Sequence, residues 1–171
     1  MLNRLLMAAG AAFMILAAPG EAAELSFTAA LNGRQEPTLT GSAATGAATI
    51  SVDTEAQTLS VNMRITGITT GDLWDHLIHV GMGPVHLHLY AANGDISLLV
   101  PFPYGANYAP TPDGFTLSVE EYSYADGAAV LQSDMNFETF VATLGSEFVY
   151  LNIHTDAVQD GEISGRLTPA S

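Results

Sequence analysis

Strict two-residue alternation constrains this chain more than any other feature. Between residues 58 and 65, Leu59, Val61, Met63 and Ile65 alternate with Ser60, Asn62 and Arg64. Successive side chains point to opposite sides only in an extended strand, so the pattern describes one apolar face to bury and one face for water. The same period runs through residues 25–31, 48–52, 85–90 and 148–155, and strands are also expected at 96–100, 115–119 and 162–167. Asn32-Gly33, Asp53 to Gln57, Asn93-Gly94 and Asp160-Gly161 supply turns between them. Short strands at this spacing predict an all-β domain, an antiparallel Greek-key β-sandwich or barrel of superoxide-dismutase-like or immunoglobulin-like type. One short helix is expected at 136–144, where Phe137, Phe140, Val141 and Leu144 fall on one helical face, with Ser133 or Asp134 as its cap. The stretch 102–145, which begins with a proline-bearing loop over 102–114, breaks the strand pattern and reads as an insertion at one end of the sandwich.

The chain has 171 residues, enough for one domain with a real core. It carries 18 acidic residues against four arginines, with no lysine, for a net charge of −14. Such a field repels phosphate backbones and anionic lipid, so nucleic-acid binding and docking on a membrane surface are excluded as working readings, while cations are attracted. There is no cysteine, which removes disulfides, thiolate metal sites and Cys nucleophiles. A metal site in this chain must use His, carboxylates or Met. At the N-terminus, Arg4 precedes an apolar run over residues 5–18, then Pro19-Gly20 and small residues. That is the layout of a secretory signal peptide, and the run is shorter than the ~20 residues of a spanning helix. We expect a signal peptide over 1–22, cleaved after Ala22, a mature domain over 23–171 with no membrane insertion, and a secreted or periplasmic location.

The five histidines are His76, His79, His86, His88 and His154. Period two puts His86 and His88 on one face of a strand, opposite Val85, Leu87 and Leu89. In the last long strand Tyr150, Asn152 and His154 form the corresponding face, opposite Val149, Leu151 and Ile153. If the two strands are neighbours, three imidazoles share one surface and suit Cu or Zn. His79 or His76, on the preceding loop, is a candidate fourth ligand, and Asp75 or Asp156 a candidate to orient a ring. Met82 is a candidate thioether. Asp156, Asp160 and Glu162 match no EF-hand loop, and no G-x-S-x-G nucleophile elbow occurs.

These segments resemble the CHRD domain family, known from chordin and from exported microbial proteins. Val85-His86-Leu87-His88 is similar to its "HIH" segment. The run from Phe27 to Pro37, ending Asn32-Gly33-Arg34-Gln35-Glu36-Pro37, resembles its opening. Thr45-Gly46-Ala47-Ala48 with Leu59-Ser60-Val61 resembles its first hairpin. Tyr150-Leu151-Asn152-Ile153-His154-Thr155 followed by Gly161-Glu162-Ile163-Ser164-Gly165-Arg166-Leu167 resembles its closing signature, with Ser164 and Arg166 departing from the usual Arg and Gln. The resemblance implies an extracytoplasmic β-sandwich whose own histidine positions are His86, His88 and His154.

Three functions follow as expectations. The first is a non-enzymatic module that binds Cu or Zn for storage, delivery or sequestration. The second is a metalloenzyme of superoxide-dismutase-like type, an analogy of pattern in a chain without a second complete site. The third is a metal-free extracellular protein-interaction module, with a protein partner contacting Trp74, Tyr104 and Tyr108.

Overall fold

The structure, a computed structural model, describes residues 24–170. The expected signal peptide lies outside them. The chain runs β1 (Glu24–Asn32), β2 (Thr45–Asp53), β3 (Thr58–Thr66), α1 (Asp75–His79), β4 (Val85–Tyr90), β5 (Ile96–Phe102), β6 (Tyr108–Thr111), β7 (Gly114–Ser123), α2 (Tyr124–Leu131), α3 (Phe137–Leu144), β8 (Val149–Ile153), β9 (Ile163–Arg166) and β10 (Thr168–Pro169). Every pairing is antiparallel. The protein is all-β, as the alternation requires. The strands form one continuous sheet in the order β5-β4-β8-β9-β1-β2-β3-β7-β6, with β10 added beside β1, and this sheet curls into a half-barrel around its apolar face.

Burial fixes the register. Leu59, Val61, Met63 and Ile65 of β3 are all at most 4% exposed. A one-residue slip would turn these four outward and bury Ser60, Asn62 and Arg64. At roughly 1.5–3 kcal/mol per buried side chain, that slip forfeits about as much as the whole stability of a small domain. The same logic holds β4 and β8 in place, since Val85, Leu87, Val149, Leu151 and Ile153 are fully buried in the common core.

The stretch 102–145 is part of this body. β7 pairs with β3 from Gly114 to Ser123, and β6 pairs with β7 as the edge strand that a proline at position 110 permits. A second helix, α2, precedes the expected one and packs against β5 and β7, across the open side of the curled sheet. The Tyr124 ring stacks on Phe140 at 4.6 Å, and Phe140 and Leu144 of α3 are buried in the same core. The cap of α3 is Asn136, whose side chain accepts from the Thr139 N–H at 2.8 Å, rather than Ser133 or Asp134. Tyr108, expected on a contact surface, is 5% exposed. Its hydroxyl donates to the Phe102 carbonyl at 2.7 Å and ties one edge of the sheet to the other.

Candidate metal centre

β4 and β8 are hydrogen-bonded neighbours. The register sets His86 opposite Asn152 and His88 opposite Tyr150, and the His154 N–H donates to the Pro84 carbonyl one step further along. His86, His88, Asn152 and His154 therefore share a sheet face, on the side away from the core. They are nevertheless 2%, 8%, 0% and 6% exposed, because three segments outside the sheet roof this end of it. These are the loop 33–44, α1 and the turn 155–161.

The roof is held by side chains of the loop and turn. Glu162 accepts from Ser42 Oγ at 2.7 Å through one carboxylate oxygen and from Thr155 Oγ1 at 2.7 Å through the other. Thr40 Oγ1 donates to the Glu162 carbonyl. Thr38 and Ser164 pair through their hydroxyls at 2.7 Å in a buried position, and the Gln35 amide reaches the carbonyls of Ala30 and Ser164. Gly161 has φ +114°, and a Cβ there would sit 2.8 Å from the Asn152 amide nitrogen, so only glycine lets the turn close over the sheet. The Trp74 N–H donates to the His154 carbonyl at 3.1 Å, which docks α1 beside the site.

Under this roof the candidate ligand atoms of His86, His88 and His154 all lie within 4.8 Å of one another. The Nε2 atoms of His88 and His154 are 3.3 Å apart. Two nitrogens at that separation, each ~2.05 Å from a common ion, would subtend about 107°, close to the tetrahedral angle. His154 Nδ1 donates to the Gln159 carbonyl at 2.7 Å, so in the neutral ring its Nε2 carries the lone pair, which faces His88 Nε2. That carbonyl holds the ring in the role foreseen for Asp75 or Asp156. Asp156 instead accepts from the Asp75 N–H at the start of α1.

The other two rings are short of partners. Among the described residues, neither nitrogen of His86 nor Nδ1 of His88 makes a hydrogen bond, although the Met82 and Gly83 carbonyls lie near enough to favour a protonated His86 slightly. Buried polar nitrogens without partners cost ~1–3 kcal/mol each, so the fold bears a cost here that packing does not explain. Desolvation, followed by the neighbouring imidazoles, holds His86 well below the usual imidazole range. His88 is lowered to about 3 by desolvation and by His154. His154 is lowered by desolvation, partly offset by the Gln159 carbonyl and Asp160. All three rings are neutral at pH 7, the form that binds metals.

A cleft of about 800 Å³ opens onto the cluster, with Trp74, Leu77, Met82 and Leu98 in its walls and Leu39 and Ile96 among its lining residues. Tyr90 also lines it, accepting from the Asn152 amide at 2.6 Å. His76 and His79 stand apart from the three. Both are exposed on α1, and His79 Nδ1 bonds back to the Asp75 carbonyl of its own turn. A five-residue helix on the roof turns these rings to solvent.

The family model of the CHRD domain matches residues 27–167. The chain belongs to the CHRD domain family. The CHRD segments recognisable in the sequence are far apart along the chain, yet the opening loop, the H-x-H strand and the closing strand-turn-strand all meet around one cleft. No curated protein and no solved structure matches the chain. No local pattern marks the Gln159 carbonyl or the loop 33–44 as parts of the site. Asn152 was visible only as the residue two before His154.

Proposed function

We propose that this CHRD-domain protein is an exported, non-enzymatic binder of a transition metal, Cu or Zn, which His86, His88 and His154 hold for storage, delivery or sequestration. One observation carries the reading. Three neutral imidazoles converge in a buried position with their candidate ligand atoms within 4.8 Å of one another, and neither nitrogen of His86 has a hydrogen-bond partner among the described residues. A cation is the ligand that satisfies several lone pairs at once without adding hydrogen-bond donors. The donor set supports a borderline or soft metal, since imidazole suits Zn and Cu while Ca²⁺ and Mg²⁺ take oxygen. The net charge of −14 supports accumulation of cations around the molecule. Export rests on the N-terminal pattern of Arg4, the apolar run and Pro19-Gly20, together with the extracytoplasmic setting of CHRD domains.

The test is thermal unfolding of the purified protein with Zn(II), Cu(II) or Cu(I). Metal at 100 times its dissociation constant adds ~2.7 kcal/mol, a rise of about 5–10 °C for a domain of this size. The rise should vanish in His86→Ala and His154→Ala. No rise with any metal removes the reading in favour of a metal-free interaction module. Superoxide turnover by the loaded protein replaces it with a metalloenzyme.

A further inference from the structure

We infer that the cation this cluster selects is Cu(I), with the Met82 thioether as a fourth donor beside His86, His88 and His154. The inference rests on the metal-binding reading and deepens it.

The donor set is the first support. Among the described residues, the group of metal-competent side chains brought together here contains three histidines and no carboxylate. A divalent ion bound by them would keep its full double charge against walls that include Trp74, Leu77 and Leu98. The cost of moving an ion out of water grows with the square of its charge, so a monovalent ion loses far less on entering. Among the described residues the one carboxylate lining the cleft, Asp160, belongs to an exposed residue.

The atoms behind the rings are the second support. Divalent sites commonly raise the basicity of their histidines by hydrogen bonds from the far ring nitrogen to carboxylates. Among the described residues, His154 has only a backbone carbonyl behind it, and neither His86 nor His88 has a partner at Nδ1. These rings stay weakly basic, which suits a soft ion that takes low-charge donors.

Met82 is the third support. It sits between Gly81 and Gly83, both at positive φ, and the N–H groups of Met82 and Gly83 both donate to the Leu77 carbonyl, at 3.1 and 2.9 Å. A Cβ at Gly83 would lie 2.1 Å from the Phe102 carbonyl oxygen, so the backbone runs hard against β5 there and its path is fixed. This pinned loop places the half-buried Met82 in the wall of the histidine cleft, beside His86. A thioether is a neutral, polarisable donor that favours Cu(I) over Zn(II). Binding and release need no redox step, because the ion enters and leaves as Cu(I).

The experiment is anaerobic competition of the purified full chain against bicinchoninate for Cu(I) and against a chromophoric chelator for Zn(II). The expected result is one Cu(I) per chain, bound at least ~100-fold more tightly than Zn(II). Met82→Leu should weaken Cu(I) by about tenfold and leave Zn(II) within about twofold. His154→Ala, checked for folding by circular dichroism, should weaken both. Zn(II) bound as tightly as Cu(I) overturns the choice of ion while leaving a metal site in place. Cu(I) affinity unchanged in Met82→Leu overturns the thioether. Failure to take up either ion overturns this inference together with the metal reading.

Discussion

Lowering the pH from 7.5 to 5 should destabilise the metal-free protein through its buried histidines. Burial lowers His88 to about 3, against ~6.5 in the unfolded chain. Because the folded value is the lower one, the unfolded chain takes up the proton first. The folded state is favoured fully above pH 6.5 and loses that advantage as the pH falls towards 3. At pH 5 the unfolded chain has gained about 2 kcal/mol from protonating this one imidazole, from the linkage relation with ~1.4 kcal/mol per pH unit. His86 and His154 are shifted in the same direction and add to the loss. The carboxylates with lowered values, Asp72 and Asp113, lose their contributions only as the pH falls below about 4, outside this window. Urea unfolding in the presence of a chelator measures the change, and His88→Leu is the control that removes one titrating ring. The wild type should lose about 2 kcal/mol more than His88→Leu between the two pH values. Equal losses in both proteins would mean that His88 titrates normally and is not buried as described. The same shifts should carry the proposed metal binding to lower pH than ordinary imidazoles, which protonate at ~6.5, would allow.

Glu162→Ala removes both carboxylate contacts that tie the loop 33–44 to the turn after β8. It should cost about 2–3 kcal/mol in urea unfolding and speed proteolysis within that loop. Gly161→Ala forces a Cβ to 2.8 Å from Asn152 at φ +114° and should lower stability by about 1–3 kcal/mol. Phe140→Ala empties a fully buried position in the core and should cost about 3–5 kcal/mol; a cost under 1 kcal/mol would mean that α3 is not docked. Trp74 is the sole tryptophan, with its ring 6.3 Å from that of His154. Copper loading should quench its emission in step with occupancy, and unchanged emission would place the ion elsewhere.

Local periodicity made most of the strands legible. β3 and β4 could be read because every second residue of each is apolar, and the hairpin of β2 and β3 because a short polar turn joins them. The facing of His86, His88 and His154 was legible from the same period. Their adjacency was not, because pairing β4 with β8 joins segments about sixty residues apart and no local signal encodes that. β7 was recognised only over 115–119. Its far end carries Glu120 and Glu121, the latter at φ +50°, so the alternation fades before the strand stops. The helix α2 was hidden by Gly127 in its middle, which ordinarily weakens a helix. Here the missing side chain leaves room for Tyr122 and Pro101, 3.2 and 3.5 Å from where a Cβ would be. Reading 102–145 as an insertion followed from its prolines. Pro110 within it, and Pro101 just before it, lie in the edge strands β6 and β5, where a missing N–H is tolerated.

The most direct test of the central claim is the metal content of the protein after equilibrium dialysis against micromolar Cu or Zn, compared with a variant carrying His86→Ala, His88→Ala and His154→Ala together. One bound ion per wild-type chain and none in the triple variant is the predicted result. A wild type that leaves dialysis metal-free, or a triple variant that retains its ion, contradicts the account.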